Sequence, residues 1–165
     1  MQGCDCLPPN AVKDAPAGFV YSQVDLDNER LSPYYAASPT FDAVVFSDVI
    51  EHLENPAKAL REIAGVIHQN RLVFITLPNA FDIFERAAIA LTGNSTRYKF
   101  STPAERGHVS MLPHNVILAL AARAGLEVVA KHGGYCYLGG YFTRPKRVWA
   151  PLLSYSVLWI LRKRG

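Results

Sequence analysis

Residues 41–79 read FDAVVFSDVIEHLENPAKALREIAGVIHQNRLVFITLPN, and this stretch decides the fold. The run Ala43-Val44-Val45-Phe46 is short, apolar and rich in β-branched and aromatic residues, which predicts a strand buried on both faces. It gives way to polar Ser47, Asp48, Glu51 and His52. Asn55 then suits a helix N-cap and Pro56 the first helical position, and Leu60, Ile63 and Ile67 recur at helical spacing. Leu72-Val73-Phe74-Ile75 is a second apolar strand, closed by Leu77-Pro78-Asn79. Strand, helix and strand in this order make a right-handed βαβ unit with a parallel sheet. Such sheets bind ligands beyond the carboxyl ends of their strands, which is where Asp48, Glu51, His52, Pro78 and Asn79 fall.

On the amino-terminal side, residues 1–17 are turn-rich and expected to be irregular, although Gln2-Gly3-Cys4-Asp5 has the form of a strand tail ending in an acid. Residues 18–24 alternate and are β-rich, predicting a strand that ends at Asp25-Leu26-Asp27. Pro33 and Pro39 make residues 28–40 a loop or short helix. On the other side, Ala80 to Leu91 carries Phe81, Phe84, Ala87, Ala88 and Leu91 on one face of a helix that Gly93-Asn94 stops. The polar, basic stretch 95–106, with Tyr98 and Phe100, reads as a lid, so 80–106 is an insertion within one domain spanning 1–165. A helix from about Asn115 to Ala124 follows, with His114 beside Pro113 as its entrance cap, then a strand from Leu126 to Val129. The apolar tail 148–161 contains Pro151 and falls short of the roughly 20 residues that span a bilayer. A short helix and a strand over Ser156–Leu161 account for it better than a membrane contact does.

The chain of 165 residues is long enough for one domain with its own core, and 50% hydrophobic with 19% charged residues is ordinary for a soluble α/β protein. A net charge of +3 argues for no nucleic-acid partner, and the late basic residues Arg144, Lys146, Arg147, Arg162, Lys163 and Arg164 read as a solvated surface. Cys4, Cys6 and Cys136 form no even disulfide framework and lack zinc-finger spacing, so they are expected as reduced thiols. Met1 to Asp5 has neither the basic start nor the apolar core of a signal peptide, which points to the cytoplasm.

Three phrases carry a family likeness. FDAVVFSDVIEHLENPAKALREI, RLVFITLPN and GHVSMLPHNVILALAARAGLEVV resemble class I S-adenosylmethionine (SAM)-dependent methyltransferases. The likeness is nearest to the bacterial group with a DVIEHL-x-NP segment and a PN after the next strand. It implies an α/β, Rossmann-like, mostly parallel sheet with an antiparallel last strand, here VLWILRKR. By the same resemblance Asp5 would bind the ribose hydroxyls of SAM and Asp25-Leu26 would lie near its adenine. Ser47 and Asp48 would line its methionine side, and Asn79 with Tyr98 of the lid would face a small-molecule acceptor. Transfer to an O or N of that acceptor is the expected activity, and it asks mostly for alignment and, where needed, a base.

Asp48, Glu51 and His52 converge at the helix entrance and admit three readings. Together with His108 they would hold a divalent cation such as Mg²⁺, although histidine is not its preferred ligand. The small-RNA 2′-O-methyltransferases, which the segment also resembles, place two acids and two histidines at matching positions. Alternatively His52 or His108 would act as a general base toward the acceptor. In the third reading the cluster is a hydrogen-bonded cap that fixes the strand–helix turn.

One family element is missing. No D-x-G-x-G-x-G loop precedes Asp25, where the only glycines are Gly3 and Gly18. The expected fold is therefore an amino-terminally truncated class I methyltransferase whose first strand, in mid-sheet beside residues 43–46, is lacking. Its neighbours would be left with unpaired backbone. A fragment, a degenerate copy, a domain completed by a protein partner or a second copy, or a shift of the 18–24 strand to pair with 41–46 would each answer this. The competing function is a non-catalytic binding or assembly protein; a nicotinamide enzyme lacks its fingerprint as well.

Overall fold

The structure, a computed structural model, describes residues 2–5, 10, 16–35, 41–96, 107–134, 136–138, 141–143 and 150–165. Its elements are β1 (Gln2–Asp5), β2 (Val20–Gln23), α1 (Ser32–Tyr35), β3 (Phe41–Ser47), a 3-10 turn (Ile50–His52), α2 (Pro56–Val66) and β4 (Ile67–Pro78). After them come α3 (Ile83–Thr92), α4 (His114–Arg123), β5 (Leu126–Gly133), β6 (Cys136–Leu138), β7 (Tyr141–Thr143), α5 (Ala150–Leu153) and β8 (Ser156–Lys163).

The βαβ unit forms as the sequence predicts. β3 and β4 are parallel, with Ala43 opposite Leu72 and Ser47 opposite Thr76. The Asn55 side chain accepts the N–H of Lys58, and Pro56 opens α2. Leu60 and Ile63 bury the inner stripe of that helix. No separate turn follows: β4 begins at Ile67, directly after α2, and Asn70 takes a left-handed φ of 62°. Asparagine tolerates that conformation better than most residues.

The main sheet runs β3-β4-β8-β5, with β8 antiparallel to both neighbours. This is the antiparallel last strand that VLWILRKR implied. Register puts Val44 and Phe46, Val73, Ile75 and Leu77, and Val157, Trp159 and Leu161 on one face. That face forms the core with the inner residues of α2 and α4. The opposite face differs from expectation. Val45 is 74% exposed, and its register neighbours Phe74 and Ile160 are half-buried. The strand read as buried on both faces is covered on one: α2 and α4 pack on the face of Phe46, Val73 and Ile75, and Val45 points the other way and is exposed.

β1 and β2 form a separate parallel pair, Gln2 opposite Val20 and Asp5 opposite Gln23. Residues 2–5 are thus a strand within the segment expected to be irregular, and the strand after Gly18 pairs with β1 rather than moving to β3. Tyr35 joins the two sheets: its hydroxyl donates to the Gly3 carbonyl at 3.3 Å, and its ring meets Phe41 edge-on at 5.3 Å. Val24, Leu31 and Tyr35 accordingly share one buried cluster with Phe46, Ile50 and Leu60.

Two further expectations change. α3 was read with its apolar face inward, but Ile83, Phe84 and Leu91 are exposed and Glu85 is the buried side chain. The polar side turns in because Asp82 caps the helix, accepting from Phe84 and Glu85, and Glu85 gathers the backbone and hydroxyls of Ser95 and Thr96. The β6–β7 hairpin was not foreseen. Tyr98 and most of the expected lid lie outside the described residues. Among the described residues no helix is long and apolar enough to cross a membrane.

Candidate functional site

Three strand ends supply the residues assigned to the cofactor. Asp5 ends β1, Asp25 and Leu26 follow β2 within two and three residues, and Ser47 and Asp48 close β3. Two sets of bonds anchor the second of these ends. The Asp27 carboxylate accepts the backbone N–H groups of Glu54 at 3.1 Å and Asn55 at 2.9 Å. The Lys58 ammonium donates to the carbonyls of Leu26, Asp27 and Glu29 at 3.0, 2.8 and 2.7 Å. The loop after β2 is thereby tied to the start of α2. Within that loop the Asn28 amide donates to the Asp25 carboxylate at 2.8 Å, and this bond above all keeps the Asp25 pKa below the ordinary range.

Asp48 sits at a left-handed φ of 51° and donates its N–H to the Thr76 carbonyl at 3.0 Å. Its carboxylate accepts the hydroxyls of Ser47 and Thr76, each at 3.1 Å. Asp48 therefore faces the end of β4.

Glu51 is different. It is fully buried, and neither carboxylate oxygen has a hydrogen-bond partner. Burial above all, with the Asp48 charge adding, pushes its pKa up to about 7. His52 and His108 meet edge-on beside it, with ring centroids 4.8 Å apart. One ligand atom each from Glu51, His52 and His108 lies within 4.8 Å of the others. The backbone builds this meeting: the Glu51 carbonyl accepts the N–H groups of Val109 and Ser110, both at 2.9 Å. The Ser110 hydroxyl donates to the Leu53 carbonyl at 2.7 Å. Of the four candidate metal ligands, three come together and Asp48 stands outside the set.

The donor set fits a cation. A buried carboxylate without a partner is one ligand. His52 Nδ1 lies 3.1 Å from the Gly107 carbonyl, so a proton there leaves Nε2 free to ligate, the usual arrangement of a metal-bound histidine. Two imidazoles and one carboxylate suit Zn²⁺, Mn²⁺ or Fe²⁺ better than Mg²⁺, which takes oxygen.

Asn79, assigned to the acceptor, is 2% exposed. Its amide donates to the Ser154 carbonyl at 2.9 Å, its side-chain oxygen accepts the Phe81 N–H at 3.1 Å, and its backbone N–H bonds Tyr155 at 2.7 Å. It ties the end of β4 to the segment before β8. Tyr98 lies outside the described residues.

The sequence reading missed a second polar group on this edge. Leu77, Pro78, Asn79, Leu112, His114 and Trp159 line a shallow depression too tight to admit a water molecule. His114 does not cap α4, whose N-cap is Pro113. Its Nδ1 is 3.1 Å from the Lys131 ammonium, and its ring is 5.4 Å from that of Trp159. No motif joins these residues; only the register of β5 and β8 does, with Lys131 opposite Trp159.

The sequence profile of a family described as a methyltransferase domain matches residues 6–131. No protein of curated function matches the chain. Among solved structures, a SAM-dependent methyltransferase from Archaeoglobus fulgidus is similar with a TM-score of 0.63 at 15% identity, over 98% of this chain and 75% of that one. An N-methyltransferase from Bradyrhizobium japonicum in complex with S-adenosyl-L-homocysteine gives 0.57 at 14%, over 99% and 66%. A methyltransferase from Haloferax volcanii, solved with its activator protein, gives 0.62 at 12%, over 99% and 71%. At such identities the likeness is one of fold.

Proposed function

The chain belongs to the methyltransferase-domain family, and from that premise we propose that it works in SAM-dependent methyl transfer to an oxygen or nitrogen of a small-molecule acceptor. The observation that carries the proposal is the grouping of Glu51, His52 and His108 at the carboxyl edge of β3. In this reading Asp5, Asp25, Leu26, Ser47 and Asp48 hold the cofactor on the neighbouring strand ends. His52 or His108 takes the acceptor's proton, a task imidazole commonly performs. Where a divalent cation is bound, Glu51, His52 and His108 hold it, and it would supply a fixed positive charge for the acceptor oxygen. Reduced Cys4 and a mild net charge fit a cytoplasmic setting.

The outer edges of β1 and β3 pair with no strand among the described residues. We therefore place one further parallel strand there, contributed by additional polypeptide or by a second copy, to carry the loop that meets SAM's phosphate-free tail and ribose. Unpaired backbone beside an apolar strand gives the reason.

Isothermal titration with SAM and S-adenosylhomocysteine tests the reading. Micromolar binding, lost in Asp25→Ala, supports it. Silence from folded protein at millimolar ligand overturns it for this chain and leaves a non-catalytic assembly role.

A further inference from the structure

α3 is an amphipathic helix with its apolar stripe turned to solvent. Ile83, Phe84, Ala87 and Leu91 share that stripe at helical spacing, all are exposed, and Leu91 is exposed by 85%. The two acids at the start of the helix, Asp82 and Glu85, are buried instead, so its exposed surface carries Arg86 and no carboxylate. α5 packs beside α3 and leaves Leu152 exposed as well. Apolar side chains grouped in this way on a surface mark a site of interaction. Cations stand next to them. Arg86 is near enough to act on His114 as a like charge, the Lys131 ammonium is 3.1 Å from His114 Nδ1, and the His114 ring lies 6.3 Å from that of Phe81, two residues before α3. Arg86 and Lys131 have no carboxylate partner among the described residues. The imbalance runs through the sequence. Residues 86–165 hold twelve Lys and Arg against two acids, Glu105 and Glu127, whereas residues 1–85 hold five against twelve. A net charge of +3 conceals this polarity, and such asymmetry favours an anionic surface as partner.

We infer that the outward stripe of α3, continued by Leu152 of α5, is a docking surface for an anionic lipid bilayer. Ile83, Phe84 and Leu91 enter the headgroup boundary, and Arg86 at the flank of the stripe stays among the phosphates. With ten residues α3 has half of the roughly 20 that span a bilayer, so it lies in the plane of the interface. The apolar tail is not the contact, because Ser156–Lys163 is engaged as β8 between β4 and β5. Charge decides among the occupants. A second copy seated on this face would bring the same positive group against itself, which is repulsive. A nucleic acid would meet the charge but offers Ile83 and Leu91 no apolar medium. A bilayer with acidic headgroups supplies both. The inference goes beyond the methyltransferase reading and does not depend on it.

The test is co-sedimentation of the whole chain, without SAM, with vesicles of phosphatidylcholine alone and of phosphatidylcholine with about one-third phosphatidylglycerol. Partitioning onto the anionic vesicles is expected to be at least about tenfold stronger, and to fall about tenfold between roughly 0.1 and 0.5 M salt. Leu91→Gln should weaken it about tenfold and Arg86→Gln about fivefold. Both positions are exposed, so the melting temperature of each variant should stay where it was. No partitioning onto anionic vesicles, equal partitioning onto neutral ones, or undiminished binding by folded Leu91→Gln overturns the inference. Tighter binding to poly-uridylate RNA than to the vesicles overturns it in favour of nucleic acid. Self-association in lipid-free light scattering that Leu91→Gln abolishes overturns it in favour of a second copy. The comparison of the two vesicles on the wild-type chain stands even where a variant fails to fold. Anionic vesicles bound by a chain that ignores S-adenosylhomocysteine would keep the docking surface and remove the enzyme; the converse would do the opposite.

Discussion

His52 and His108 touch edge-on at 4.8 Å because the backbone carbonyl of Glu51, one residue before the first, receives the N–H of Val109, one residue after the second. The contact belongs to the main chain, so side-chain changes should alter the chemistry without dispersing the site. His108→Gln is expected to lower Mn²⁺ affinity by about 10–100-fold while the melting temperature stays put. Electron paramagnetic resonance titration reads the affinity. Equal Mn²⁺ binding by wild type and variant would remove the cluster from metal chemistry.

Glu51 makes stability depend on pH. Its folded pKa stands near 7 against an ordinary 4.5, so between these values the unfolded chain loses a proton that the folded chain keeps. Stability therefore falls as pH rises from 4.5 toward 7 and levels off above it. Glu51→Gln abolishes the ionisation. Relative to wild type it should gain about 3 kcal/mol at pH 8 and nothing at pH 4, in urea melts with chelator present. Parallel wild-type and variant profiles would refute this.

Lys58 is a positioning residue for the loop after β2. Lys58→Met keeps an unbranched side chain but releases the carbonyls of Leu26, Asp27 and Glu29. A loss of about 1–3 kcal/mol is expected. S-adenosylhomocysteine binding should weaken at least about tenfold, read by calorimetry below the melting temperature.

Asn79→Ala should destabilise the fold by about 2–4 kcal/mol, since it strands both the Ser154 carbonyl and the Phe81 N–H in a buried setting. Chemical denaturation reads the loss, and an unchanged midpoint in Asn79→Ala would refute it.

Val45→Lys should change the stability of this chain by no more than about 0.5 kcal/mol, as surface positions do. A core valine would lose several times more. The same change should block any strand or second copy from covering that face, which size-exclusion chromatography with light scattering detects.

The βαβ unit was legible because Asn55, Pro56 and the stripe of Leu60 and Ile63 agree with one another at every level. The tail was legible too, since Pro151 and a basic end left little choice but a short helix and strand. Exposure of Val45 was not, because an apolar run predicts a strand but not whether a layer covers each of its faces. α3 misled for a related reason: its periodicity gave a helix but not which side would turn inward, and Glu85 won through its bonds to Ser95 and Thr96. The meeting of Lys131, His114 and Trp159 could not be read at all, as it depends on the pairing of β5 with β8 across the sheet.

β8 lies between β4 and β5, yet it is the last of the described strands to leave the ribosome. Until it docks, β4 and β5 have no backbone link to each other, and Trp159 is absent from the wall it completes. The nascent molecule thus holds a βαβ core early and a finished sheet late. Assembly rests on contacts between distant parts of the sequence, which slows it. Through that interval two unpaired strand edges stand open to non-native pairing.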